Sequence, residues 1–201
     1  MADAEKQIAK QAGSFVKYKI KQLSESQKES TVKSTLAKLR RGIGKMPGSM
    51  PELWDTTLND LPEALAGKGD NPTIGEWAVH TALTLFSLHQ QGKDIKKQCM
   101  SQDESFIGIA VRNLIHSDDD EKRIKRRFDA AATSDNIEEI SHHLRGLIQL
   151  MKAESIPLDY SRLAEDLYRF QFPESRDSVR LQWGRDFYRF RNKEENIYEK
   201  E

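Results

Sequence analysis

EWAVHTALTLFSLHQ, residues 76–90, is apolar on nearly every face of a helical wheel. A helix at a protein surface keeps one polar face, so a helix without one is enclosed from several sides. The stretch therefore reads as the central helix of a bundle, and the chain on either side of it must supply the helices that cover it. Thr73 or Asn71, with Pro72, is its start signal, and Gly92 its stop.

Toward the N-terminus, Ile8, Ala12, Phe15, Val16, Ile20 and Leu23 recur at helical spacing. After the polar break SESQKES, Val32, Leu36, Leu39 and Ile43 do the same. Toward the C-terminus, Phe106, Ile109, Ala110 and Leu114 describe a short helix, and Ile124, Phe128 and Ala131 another. A third carries Ile140, Leu144, Leu147, Ile148 and Met151. Pro157 then breaks the chain and Asp159 caps the helix DYSRLAEDLYRF. Pro173 opens a last helix with Val179, Trp183, Phe187 and Phe190. Sustained apolar alternation between hairpin turns is missing, so no strand is expected. AGKGDNP reads as a loop, and no solenoid-type repeat or low-complexity tract occurs.

The expected fold is all-α, two small helical bundles packed in one compact chain: an N-terminal helical extension over 1–29, one bundle over 30–100 and a second over 101–201. The polar stretch from Gly92 to Glu104 is the expected junction. The 201 residues are 37% hydrophobic and 32% charged, an ordinary composition with room for a core. MADAEKQIAKQ lacks the apolar segment of a signal peptide and no run of about 18 apolar residues occurs, so the expected location is cytoplasmic, away from membranes. Cys99 is the only cysteine, which excludes an internal disulfide and a thiolate metal cluster.

A net charge of zero conceals segregation. Residues 1–50 hold 11 Lys/Arg against 4 Asp/Glu, residues 51–120 hold 5 against 12, and residues 121–201 hold 16 of each. Either the basic and acidic segments pack together and cancel, or one surface stays strongly positive. No acidic residue lies between Glu29 and Glu52, the interval containing KLRRGIGKMPG with Lys38, Arg40, Arg41 and Lys45.

Catalytic and metal motifs fail on spacing. GIGKMPG has one residue between its glycines and Met46 after its lysine, where a phosphate loop needs four residues and Ser or Thr. His116 near Asp118, Asp119 and Asp120 is the one candidate metal cluster. Adjacent helical residues, however, diverge by about 100°, and acids at a helix start serve its dipole and cap, with Ser117 or Asp118 as N-cap. His142 and His143 are neighbours and cannot grip one ion from one face, while His80 and His89 lie in the apolar helix and read as packed or boundary histidines and not as ligands. No cofactor is implied.

The basic residues remain. Around the stripe Val32, Leu36, Leu39, Ile43, Arg41 falls opposite the apolar face with Lys38 and Lys45 nearby, and Arg40 sits at the stripe's edge with Lys33. In EKRIKRRFDAA, Ile124 and Phe128 face inward while Lys122, Arg123, Lys125, Arg126 and Arg127 spread over the rest. Guanidinium forks match phosphate oxygens, so these faces suit nucleic-acid backbones; a solvated face is the alternative for each.

The order LRRG, PGSMPELW, LFSLHQQG, FIGIAVRNL, KRRFDAA, HHLRGLIQLMKAESIPLDYSRLAEDL and VRLQWGRDFYRF, over roughly residues 30 to 191, resembles the CasB family, the small subunit of the type I-E CRISPR surveillance complex Cascade. The resemblance implies an all-helical, non-catalytic protein, present as two copies head to tail along a filament of backbone subunits that carries the crRNA. Its implied partners are crRNA, the target and non-target DNA strands, the backbone and large Cascade subunits and a second copy of itself. Its implied task is to hold strand backbones while an R-loop forms, where protein contacts tip a nearly balanced exchange of duplexes. Arg40 and Arg41 match the family's paired arginines, Arg145 the arginine of its LR motif, and Arg126, with Arg123 and Arg127, its basic helix. The family often has arginine directly after the glycine where this chain has Ile109 after Gly108, and Arg112, one turn on, is the substitute. Two other classes stay open: a helical adaptor binding protein through Trp54 and the acidic stretch, and a metal-dependent hydrolase using His116 and Asp118.

Overall fold

The computed structural model describes residues 2–189; Phe190, assigned above to the last helix, lies outside them. Within these residues the chain forms nine α-helices and no strand: α1 (Ala2–Glu25), α2 (Glu29–Arg41), a single turn α3 (Trp54–Thr57), α4 (Ile74–His89), α5 (Ile107–Arg112), α6 (Asp118–Thr133), α7 (Ile137–Glu154), α8 (Tyr160–Phe170) and α9 (Pro173–Arg189). One isolated parallel bridge joins Ser101 and Leu158. The all-helical expectation holds, and no helix of the described residues is long and apolar enough to cross a membrane.

The stretch 76–90 is central, as its apolarity requires. Every residue from Ala78 to His89 is buried, and α1, α2, α7 and α8 all pack on α4. Its start is Thr73: the side chain accepts from the Glu76 amide at 3.0 Å, and the Glu76 carboxylate accepts from the Thr73 amide at 2.8 Å, a reciprocal capping box. Two of the polar side chains inside the helix bond its own carbonyls. Thr84 donates to Thr81 O at 3.1 Å and Ser87 to Thr84 O at 2.6 Å.

Small residues set how closely the other helices approach. At Gly13 of α1, a Cβ would stand 2.8 Å from Ser161 O of α8, so glycine lets that pair of helices meet while Ala9, Ala12, Phe15, Val16 and Ile20 are buried. At Gly108 of α5, a Cβ would stand 2.7 Å from Phe187 N of α9 and closer still to Trp183 O. Across that crossing, Phe128 of α6 stacks on Trp183 and Phe187 with ring centroids 6.0 and 5.5 Å apart. Trp183 Nε1 donates to Asp166 Oδ2 at 2.8 Å and fastens α9 to α8.

The connection after α4 is tied down at both ends. Met100 and Ser105 accept backbone hydrogen bonds from Leu158 and Asp159 at 3.0 and 2.8 Å. Asp159 also caps α8 through the Arg162 amide at 2.9 Å and accepts from the Glu104 amide at 3.1 Å. One hydrophobic cluster runs through the helices on both sides of this connection.

Candidate nucleic-acid interface

Arg40 and Arg41 are neighbours in sequence and point apart, because one helical residue turns by about 100°. Arg40 is half-buried against α4, its Nη1 donating to Ser87 O at 3.4 Å. This partial burial lowers its pKa, yet a guanidinium keeps its charge at any physiological pH. Arg41 is exposed and pairs with Glu52 at 3.5 Å. Lys38 and Lys45 have no counter-ion among the described residues. The turn that carries Lys45 is fixed from inside: buried His80 bonds Gly42 O at 2.9 Å, and Gly44, at φ 71, takes the left-handed step after the helix. Burial holds the His80 pKa below its ordinary value, so it acts here as a neutral strut.

Part of the charge of the first fifty residues is cancelled by later acids. Lys17 pairs with Asp103 at 2.6 Å and the buried Lys19 reaches Asp60 at 3.9 Å. Arg40, Lys38 and Lys45 escape that cancellation.

On α6 the N-cap is Ser117, which accepts from the Asp120 amide. Asp120 in turn pairs with Arg123 at 2.7 Å, Asp129 with Lys125 at 2.6 Å, and Glu121 with Arg112 at 3.7 Å. Arg112 is largely covered and its guanidinium lies 5.9 Å from the Phe187 ring centroid, where it braces α5 against α6 and α9. Arg126 and Arg127 have no acidic partner among the described residues. Arg127 leans onto α7: its Nη1 lies 3.6 Å from where a Gly146 Cβ would be, beside the exposed Arg145.

From Arg145 a positive path continues to Arg40. Lys152 follows Arg145 by seven residues, which returns to the same face of α7 roughly 10 Å further along. Lys152 donates to Gln91 Oε1 at 2.9 Å, and Lys93 donates to Ser155 at 2.7 Å, so the end of α7 and the loop after α4 are joined through their lysines. Lys93 and Arg40 then line one cavity. The structure thus brings Arg127, Arg145 and Arg40 onto one connected surface through Lys152 and Lys93, which reading the sequence missed, while Arg126, the residue before Arg127, turns about 100° away from it. Lys152 was visible as the helical repeat of Arg145. Lys93 was not, since its partner is 62 residues away.

The histidine and aspartate group does not form a metal site. His116 Nε2 is 2.7 Å from Glu154 Oε2, which raises its pKa, while Asp120 turns to Arg123 and Ser117. No three His, Cys, Asp or Glu converge among the described residues. Trp54 is exposed, its Nε1 anchored on Gly48 O at 2.8 Å, with exposed Met46 on the same loop.

A family model described as CRISPR-associated protein Cse2 matches residues 35–188. The crystal structure of CasB from Thermobifida fusca is similar at 31% identity, with a TM-score of 0.73 over 89% of this chain and 98% of that one. M. ruber CasB shares the fold at 22% identity and a TM-score of 0.67, over 91% and 97% of the two chains. No curated relative matches the chain.

Proposed function

The chain belongs to the CRISPR-associated Cse2 family, the small subunits of Cascade in CRISPR defence, and from that premise we propose that it holds nucleic-acid backbones during R-loop formation. The observation that carries the reading is the connected basic surface from Arg127 over Arg145 and Lys152 to Lys93 and Arg40, with the unpaired Arg126 proposed to add charge at its α6 end. Cations on a rigid helical frame bind phosphates without regard to sequence, as a subunit serving any guide must do. Lys38 and Lys45, at the same end of α2, are proposed to add to this charge, Arg41 offers a guanidinium on the other side of the helix, and Arg123, one turn before Arg127, extends the surface on α6. Arg112 contributes by fixing the α5–α6–α9 junction.

The proposed ligands are crRNA and the two DNA strands. The exposed Met46 and Trp54, next to Glu52 and Asp55, are proposed to seat a neighbouring Cascade subunit. The test is R-loop formation by the reconstituted complex over a salt series, with this subunit wild type, omitted, or carrying Arg40→Glu, Arg145→Glu and Lys152→Glu. Omission and charge reversal are both expected to weaken target binding, the salt slope falling by about one per phosphate contact removed. A reversed subunit that assembles and supports R-loops like wild type would leave a protein adaptor as its role.

A further inference from the structure

The cavity that Arg40 and Lys93 share lies between α2 and the loop after α4 and has a volume of about 500 Å³. That is on the scale of pockets that hold small organic molecules, roughly 300–1,000 Å³. Its floor is aliphatic, from Val32, Leu36 and Ile95, and its rim is cationic, from Lys33, Arg40 and Lys93. Two acids share this lining and are engaged by lysines, Glu29 with Lys33 at 2.5 Å and Asp94 with Lys97 at 3.9 Å, which leaves Arg40 and Lys93 as the lining cations without a carboxylate partner among the described residues.

The two glutamines of the wall differ. Gln90 is buried and fully used, donating to Lys93 O and Gln98 O and accepting from the Met100 amide, so it fixes the loop. Gln91 is exposed, and its Oε1 accepts from Lys152, which leaves its Nε2 with no acceptor among the described residues.

An apolar floor, one spare amide donor and a cationic rim match one ligand chemistry: a flat heteroaromatic ring bearing acceptors on its edge and a phosphate on either side. We propose that this cavity takes a single unpaired nucleobase of the bound strand, the ring on Val32, Leu36 and Ile95, its edge on Gln91 and its phosphates on Arg40 and Lys93. This rests on the strand-holding reading above and adds to it. A surface that binds phosphates alone needs no floor, whereas here the subunit anchors the strand at one base and keeps that base out of the stack. Each base has an apolar face, so the contact tolerates any sequence.

The full-length protein separates the two claims in titrations with a single-stranded oligothymidylate and with an abasic strand of equal phosphate number. Base–aromatic stacking changes affinity by roughly 5- to 150-fold per base, and this aliphatic floor sets the expectation at the lower end of that range. The intact strand is expected to bind tighter within that range, and Gln91→Ala, at an exposed position, to reduce the preference. Ile95→Asp, with folding verified by thermal melting, is expected to abolish it while binding of the abasic strand persists. Equal affinity for the two strands, or a preference untouched in Gln91→Ala, overturns the base pocket and leaves backbone holding in place. Failure of both strands to bind at low salt overturns both.

Discussion

Asp166 and His89 are buried ionisable groups whose titrations oppose each other. Burial pushes the Asp166 carboxyl up to about 6, partly offset by Arg162 and by the Trp183 indole, and burial pulls His89 down to about 4. On acidification the folded state retains or takes up the Asp166 proton before the unfolded chain does, so this residue adds stability as pH falls from about 6. The unfolded chain protonates His89 first, so His89 removes stability as pH falls from its ordinary 6.5 toward 4. Each effect amounts to about 3 kcal/mol over its window, and the two nearly cancel. Asp166→Asn keeps an acceptor for Trp183 and removes one side of that balance. Urea unfolding is expected to show the variant losing about 3 kcal/mol relative to wild type between pH 6.5 and pH 4. A constant difference across that range would mean that Asp166 stays ionised in the folded protein. At this scale the sequence marked the histidines as packed or boundary residues, from their apolar helix, but offered no reason to single out Asp166, whose burial depends on α9 lying over α8.

Among the elements, start and stop signals were legible because they are local. Thr73, Ser117 and Asp159 cap α4, α6 and α8 through amides three residues on, a geometry written within each short segment. The close crossing of α5 and α9 was not legible. Gly108 reads as one glycine in a helical pattern until Trp183 O and Phe187 N occupy the space a side chain would need. Gly108→Ala, otherwise favourable in a helix, is therefore expected to lower stability by about 1–3 kcal/mol, since backbone atoms cannot yield as a side-chain tip can. A melting temperature equal to or above wild type would show that the two helices can separate without loss. The same residue explains why Arg112 behaves as it does. Drawn against Phe187 by this crossing, it faces Glu121 instead of solvent.

Across the whole molecule, α1 is the helix whose role depends most on tertiary structure. It precedes the segment matched by the family model, which begins at residue 35, yet it buries Phe15, Val16 and Ile20 along α8 and α4. At roughly 1.5–3 kcal/mol for each large apolar side chain, those three approach the total stability of an ordinary domain, about 5–15 kcal/mol. A chain beginning at Glu29 is expected to lose its cooperative unfolding transition and to expose the α8 surface to dye binding. A truncated chain with an unchanged melting transition would make α1 an appendage.

Helical periodicity, the apolar completeness of residues 76–90 and the capping residues are local properties, and from them alone the chain was determined to be an all-helical bundle around α4. The basic residues were equally visible, and so was their resemblance to a family. Which of them share a surface was decided only by the packing of α7 against the loop after α4 and of α6 against α7. That packing takes Arg112 inward, turns Arg40 and Arg41 to different sides, and links Arg145 to Arg40 through Lys152 and Lys93. The physical reason is range: a cap or a periodic stripe acts over three or four residues, whereas the field of a charge depends on its neighbours in space, which here lie some 60 residues apart.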